Sequence, residues 1–556
     1  MPRVAEPSPP SGPARRNVAA RVLAFTLAGL TAFGAAGRAQ APPADSLEGR
    51  FVRRVEVDAH EIFDPVPAGR LRGLYELANG AHVRTRESTI RAALVVRPGG
   101  RWSDARRRES ERRLRGLDFL VPDSVVAVPV AGTADSVDVR VTTHDNWTTS
   151  PEVNLERGGG ELFGSYAFTE RNLLGLGITV SAVYRDDPIG ITRFLSVEDP
   201  AIAGTRWRAR FVTGNGDAGK SNLVELGLPF WAEEAPFSLG GSWARDVSMA
   251  HLYERGLQAA HVPLREENAE VWWGIGRRAA DGTVQRFVAT YRAYDRRLGV
   301  SDLEPGAPAE FGGGEEELRL RRLEGEVTLW RPHFQVRRGV DFMDRAEDFD
   351  LGTVAVVGVG VAPRSFGSGA DEGWLHGRLG VGADAGAAGF GIASTELRTR
   401  VRSGLRETHA RLRARWAFQP RPSTALVAAV SGAAGRRMPR SFQLRAGALT
   451  GLRGFPVDEV AGTQLWRGNA EARWTARRNL LQLVTLGGAV FWDSARAYGP
   501  GSGGESWHHD AGFGLRVSLP HSALNAVARF DVAWPISPRV DGRHGPAYSF
   551  GSGQAF

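Results

Sequence analysis

From Pro151 onward, short segments in which every second residue is apolar recur, separated by clusters of Gly, Pro, Asp and Asn. In Leu524–Ile536 the residues Leu524, Ala526, Ala528, Phe530, Val532, Trp534 and Ile536 share one face, and Asn525, Arg529 and Asp531 share the other. Arg206–Phe211 and Arg411–Phe418 repeat the arrangement, with arginines opposite Trp and Phe. Side chains alternate sides along a strand, whereas a helix repeats every 3.6 residues, so this region predicts β-structure. An apolar face opposite a charged one suits a closed transmembrane barrel, apolar toward lipid and polar toward its lumen. A soluble sandwich also alternates, but its polar face meets water and its sheets pack in pairs. Closure removes edge strands, and lipid requires every backbone polar group to be paired. Trp231, Trp243, Tyr291, Trp330 and Trp534 stand near segment ends, as an interfacial aromatic girdle would. The 406 residues from 151 to 556, at about 25 per strand with its connection, give roughly sixteen strands.

The first 39 residues read as a secretory signal peptide. Arg15 and Arg16 precede an apolar run from Val22 to Ala36, and Gly37-Arg38-Ala39 fits a small-residue cleavage site, with Gln40 as the mature start. Beyond it no stretch approaches the ~18 apolar residues of a spanning helix; the nearest, Val354 to Pro363, is short and interrupted by glycine. The chain contains no cysteine, which excludes disulfide scaffolds, zinc ribbons and cysteine nucleophiles.

Residues 50–146 differ in character and predict a mixed α/β module. A first strand spans 51–57, helices follow at 85–95 and 103–117, and strands at 125–130 and 136–142 form a hairpin around Ala131–Asp135. The second helix carries Arg106, Arg107, Arg108, Arg112, Arg113 and Arg115. Glu109 and Glu111 are interleaved at ion-pair spacing, so the run predicts a solvated charged face rather than a nucleic-acid contact.

Two motifs suggest chemistry that their surroundings oppose. Gly214–Ser221 satisfies G-x-x-x-x-G-K-[ST] and contains the chain's single lysine, Lys220. A phosphate-binding loop needs a helix after it, yet Asn222–Phe230 alternates and contains a proline. The peptide therefore predicts a hairpin turn between barrel strands, and no nucleotide. In His508-His509-Asp510 adjacent histidines point to opposite faces of a strand, which disfavours a shared metal. With no G-x-S-x-G elbow, no H-E-x-x-H pair and no defensible acid/base couple, the sequence points to no enzyme, cofactor or metal.

Gly451-Leu452-Arg453-Gly454-Phe455 resembles the V/L-R-G-F/Y loop of the BamA/TamA outer-membrane assembly-factor family, also called the bacterial surface antigen family. Gly462 with Asn469–Arg473, then Val490–Ala495, Gly512–Arg516 and Arg529–Pro535, are similar in order to the strands after that loop; Ala495 stands where the family usually has glycine. Glu170–Gly177 resembles a stretch at the family's barrel start, and the ending with Phe550 and Phe556 resembles its C-terminal sorting signal. The resemblance implies a mainly β protein: an outer-membrane barrel over 151–556 preceded by one periplasmic POTRA-like domain over 50–146. It also implies that Arg453 folds back into the lumen to pair with Asp493 or, second, Glu471. The implied function is inserting proteins into the outer membrane or moving them across it. Its partners would be the lipid bilayer, unfolded client proteins and periplasmic proteins. The alternatives are a passive pore or structural surface antigen that handles no client, and a lipid-handling partner of a periplasmic complex.

Overall fold

The computed structural model describes residues 47–556 except 131–134, 159–160, 188–189, 218, 387–388, 503–505, 524–526, 541 and 543. The expected signal peptide, the turn at 131–134 and the first three residues of the 524–536 segment lie outside the described residues.

Phe51–Asp145 contains β1 (Phe51–His60), α1 (Arg72–Ala81), α2 (Glu87–Ala93), α3 (Asp104–Arg115), β2 (Leu120–Pro129) and β3 (Ser136–Asp145). The sheet order is β1-β3-β2, with β3 parallel to β1 and antiparallel to β2. A parallel pair needs a long crossover, which the helices and β2 supply. β3 is central, and its Val137, Val139 and Val141 are fully buried in a core with Ile90, Leu94, Trp102 and Leu114. Helix α1 was not expected. Gly73 and Gly80 weaken its pattern, and Tyr75 is its one buried residue among those described. The Tyr75 hydroxyl donates to the Leu481 carbonyl, 2.6 Å away.

Most of the remainder forms, among the described residues, a closed antiparallel barrel of twenty strands, setting aside the two-residue segment Asp302–Leu303 that pairs beside them. Val271, Trp273 and Ile275 on one strand, and Val357, Val359 and Val361 on another, project outward and are about half exposed or more. Intervening residues face inward, so alternation decides which side chains meet the lumen. Among the described residues, no helix is long and apolar enough to cross a membrane.

The expected sixteen strands are therefore too few. Six short strands, of 9 to 13 residues each, fit between Thr149 and Leu228. Tight turns join most of them, so a uniform 25-residue repeat undercounts there. The girdle also needs correction. Trp243, Tyr291 and Trp534 are exposed on the barrel, but Trp330 donates its indole N–H to Asp350 at 2.7 Å. Trp231 sits in a turn beneath the Arg206 guanidinium. The phosphate-loop-like peptide is a hairpin, with Gly216 paired to Gly219 between the strands Arg208–Gly216 and Gly219–Leu228.

The first barrel strand, Thr149–Gly158, closes the ring against the last, Ala547–Ser552. Among the described residues this seam has three paired positions: Leu155 with Phe550, Glu156 with Ser549, and Arg157 with Tyr548. By contrast, 18 positions pair between Phe237–Glu254 and Leu257–Arg278.

Candidate functional site in the barrel lumen

The connection between the strands Thr424–Arg436 and Gln464–Leu480 turns back into the barrel. Leu444–Ala446 pairs with Val460–Gly462 to close its neck. Leu452 and Phe455 are fully buried with Ala446, Val460, Leu465, Ala495 and Ala497. Ala495, the residue at the usual glycine position, thus forms part of the loop's apolar seat. Apolar residues on either side of Arg453 hold the loop, and Arg453 is aimed at the wall.

That wall is set by alternation. On Val484–Tyr498, Val490 and Trp492 face outward while Phe491, Asp493 and Ala495 are buried inward. Arg453 donates from Nε to Asp493 Oδ2 at 2.8 Å and from Nη2 to Asp493 Oδ1 at 3.0 Å. This two-pronged geometry matches a planar guanidinium to a carboxylate. Nη1 reaches Glu471 Oε2 at 3.1 Å and Asp531 Oδ2 at 3.4 Å. The guanidinium carbon also lies 3.3 Å from the Phe491 ring centre. Gly454 donates its backbone N–H to Asp510 at 2.9 Å, and a Cβ there would lie 2.6 Å from Asp510 Cβ. Asn469 ties the loop down, donating to the Gly451 carbonyl at 2.9 Å and to Asp493 at 2.8 Å.

The structure thus brings Arg453 to both expected carboxylates, Asp493 first. Sequence reasoning missed the rest of the cluster. Arg516 joins Glu471 at 2.9 Å and Asp531 at 2.6 Å, Arg529 joins Asp531 at 2.7 Å, and Arg473 lies 3.3 Å from Glu471. The signal was available, because period-two alternation puts Arg516 and Asp531 on the inward face of their strands. Glu471, Asp493 and Asp531 have essentially no exposed side chain. Charges desolvated to this degree need partners and good geometry. Phe550 lies outward on the last strand, 37% exposed. Phe556 lies past that strand, its ring centre 5.4 Å from the Arg473 guanidinium. His508 meets Phe455 edge-on, while His509 stacks on Trp492.

On the module side, the arginine-rich α3 does not present the solvated face expected of it. Arg112 pairs with Glu233 at 2.5 Å, Arg106 with Glu234 at 3.1 Å, and Arg113 donates to the Trp231 carbonyl. Glu109 accepts the Glu233 backbone N–H at 2.8 Å, and burial pushes its carboxyl above the ordinary range. The partners sit in barrel turns more than 100 residues away in sequence, which local charge spacing could not reveal.

A second element enters from the module side. The strands Phe334–Arg338 and Ala346–Asp350 form a hairpin within the connection between Glu316–Arg331 and Thr353–Ala362. At its tip Val340 is buried with Phe390, Ala417, Ala425 and Val427 of the inner wall. Asp341 pairs with Arg415 and lies 3.3 Å from Arg473. Glu347 accepts the backbone N–H groups of Val340 at 3.0 Å and Asp341 at 2.8 Å.

Glu347 lies outside the barrel strands. Burial, reinforced by the negative charge of Asp341, pushes its carboxyl up to about 7 from 4.5, against the pull of those N–H groups. Arg415 faces both carboxylates, and Arg473 lies beside Asp341. A folded-state pKa above the unfolded value means the seated hairpin holds the proton more tightly than the unfolded chain does. Its contribution is therefore full below about 4.5 and is lost as pH rises through about 7. Urea midpoints of wild type and Glu347→Gln should separate in the variant's favour between about pH 5 and about pH 8. A constant difference across that range would contradict the assignment.

No family model matches the chain. No curated protein matches it either. Among solved structures it is similar to BamA from Haemophilus ducreyi lacking POTRA domains 1–3, at 13% identity and TM-score 0.40, covering 98% of this chain and 95% of that one. It is also similar to CdiB from Escherichia coli, at 13% identity and TM-score 0.46, covering 98% and 89%. CdiB from Acinetobacter baumannii gives 10% identity and TM-score 0.43, covering 91% and 74%.

Proposed function

We propose that this chain is an outer-membrane factor that inserts client proteins into that membrane or moves them across it. In this reading residues 50–146 are a single POTRA-like domain on the periplasmic side and residues 151–556 are the barrel. The observation that carries the proposal is the contrast between a tightly pinned inner loop and a weak seam. Arg453 is held by three buried carboxylates, while the closing strands share three paired positions among the described residues. With each backbone hydrogen bond contributing about 0.5–1.5 kcal/mol net, so short a seam opens at lower cost than the flanking ladders of six and ten paired positions. Client strands could then pair with the freed edges, and the edge of β2 could first receive an extended client as an added strand. No covalent chemistry is required.

The first test is a quantitative outer-membrane proteome before and after depletion. Loss of a defined set of barrel or secreted proteins, with transcripts unchanged, is the expected result. An unchanged proteome would favour the passive pore or structural role. A sharper test exploits the absence of native cysteine. Glu156→Cys with Ser549→Cys, paired across the seam, should form a disulfide that stops client assembly, and reductant should restore it. Full assembly through the locked seam would exclude lateral opening.

A further inference from the structure

The hairpin Phe334–Asp350 is not used by the seam mechanism, yet it is anchored at three places. It leaves the wall beside the strand Thr353–Ala362 and reaches Gln464–Leu480 and Val484–Tyr498, with four strands between its origin and the first of these. On the way it packs against those intervening strands, through Gln335 to Asp384, Phe349 on Phe390, Asp341 to Arg415, and Val340 beside Ala417 and Val427, so it lines the inner wall at the module end of the lumen. At the far side Arg473 Nη1 donates to the Val340 carbonyl at 2.7 Å, Arg478 to the Met343 carbonyl at 3.0 Å, and Thr485 to Asp344 at 2.8 Å. The segment after the last strand meets it from another direction: Gln554 donates to the Asp341 carbonyl at 3.3 Å, and Phe556 packs against the cluster around Val340.

The third anchor is α3. Arg115 clasps Asp348 with two bonds of 2.7 Å, while Arg345 reaches back to the Arg115 carbonyl at 2.7 Å and to Asp118 at 3.2 Å. The tip is also one ion pair from the buried cluster, through Asp341, Arg473, Glu471 and Arg453. Polar anchors at both ends of an apolar tip make an element with a defined seated position, held by groups that could release it without unfolding the barrel.

We propose that this hairpin is a gate that closes the module-side mouth of the lumen, with its tip latched by Asp341 and its rim held shut by α3 through Arg115 and Asp348. The gate is a property of the barrel, and it stands or falls independently of whether the protein handles clients.

The test is ion conductance of the full-length chain in planar bilayers, with heat-modifiable migration reporting that each barrel is folded. Wild type should stay mostly closed. Replacing Gly339–Arg345 by Asn-Gly should give a persistently open level. Asp341→Asn and Asp348→Arg should each raise the open fraction about two- to fivefold, the range expected when a partly exposed ion pair is lost. Arg115→Asp combined with Asp348→Arg should restore closure. If the folded tip replacement conducts like wild type, the hairpin is no gate. If it does not fold, the two single substitutions decide, and wild-type conductance in both overturns the proposal. If Asp348→Arg opens the channel and the charge swap does not reclose it, α3 is not the holding element and that part fails.

Discussion

Arg453→Ala should lower the barrel's unfolding free energy by about 3–5 kcal/mol, the largest effect expected of any single substitution here. The size follows from what remains. Asp493, Glu471 and Asp531 would stay buried, having lost the cation they share, and an uncompensated buried charge costs more than the bond that held it. Arg516, Arg473 and Arg529 offset part of this for Glu471 and Asp531. Among the described residues these three arginines do not reach Asp493, which keeps Asn469 as a donor. Arg453→Lys should recover little, because a point charge cannot reproduce the two parallel bonds to Asp493. The measurement is a urea titration followed by loss of heat-modifiable migration. Arg453→Ala/Asp493→Ala extends it. A double variant no less stable than the worse single shows that the two act as a unit, whereas full additivity would count against direct coupling.

The elements most legible in sequence were those in which a local pattern has one physical meaning. Alternation around Trp492, Asp493 and Ala495 fixes which side chain faces inward, whatever the number of strands. The glycines and Phe455 flanking Arg453 mark a tight, apolar-seated turn. What stayed hidden depended on partners distant in sequence. The arginines of α3 can be satisfied within their own helix, as Arg107 is by Asp104 and Glu111, so nothing local distinguishes a solvated face from a docked one. The gate hairpin alternates like the barrel strands around it, and periodicity alone cannot tell a strand in the wall from one folded inside it. Strand number failed for a related reason, since alternation carries no marker of strand length.

The second large effect should come from Gly175→Val, at the joint between module and barrel. Gly175 has φ of +74°, and a Cβ there would lie 2.4 Å from the Arg84 carbonyl oxygen and 3.3 Å from the Arg86 nitrogen. Both obstacles are backbone, so no side-chain rotation relieves them. The turn is fastened to the start of α2 by Arg86 N–H to the Gly175 carbonyl at 2.9 Å, Thr89 Oγ1 to the same carbonyl at 3.0 Å, and Asn172 to Thr85 at 2.8 Å. Left-handed backbone costs a non-glycine residue about 1–2 kcal/mol, and forcing the turn away loses bonds of about 0.5–1.5 kcal/mol each. A total near 3 kcal/mol would reduce the docked population roughly a hundredfold. The adjoining strands Glu161–Leu173 and Ile178–Asp187 keep their ladder, so heat-modifiable migration should survive while the connection at 146–149 becomes protease-sensitive. Gly73→Ala in α1, where a Cβ meets nothing within 4 Å, should leave cleavage unchanged. Because α3 with the Glu233 turn and Tyr75 with Leu481 also dock the module, cleavage as slow as wild type in Gly175→Val would mean that these remaining contacts suffice to hold it. The Glu170–Gly177 stretch would then owe its form to the barrel rather than to the joint.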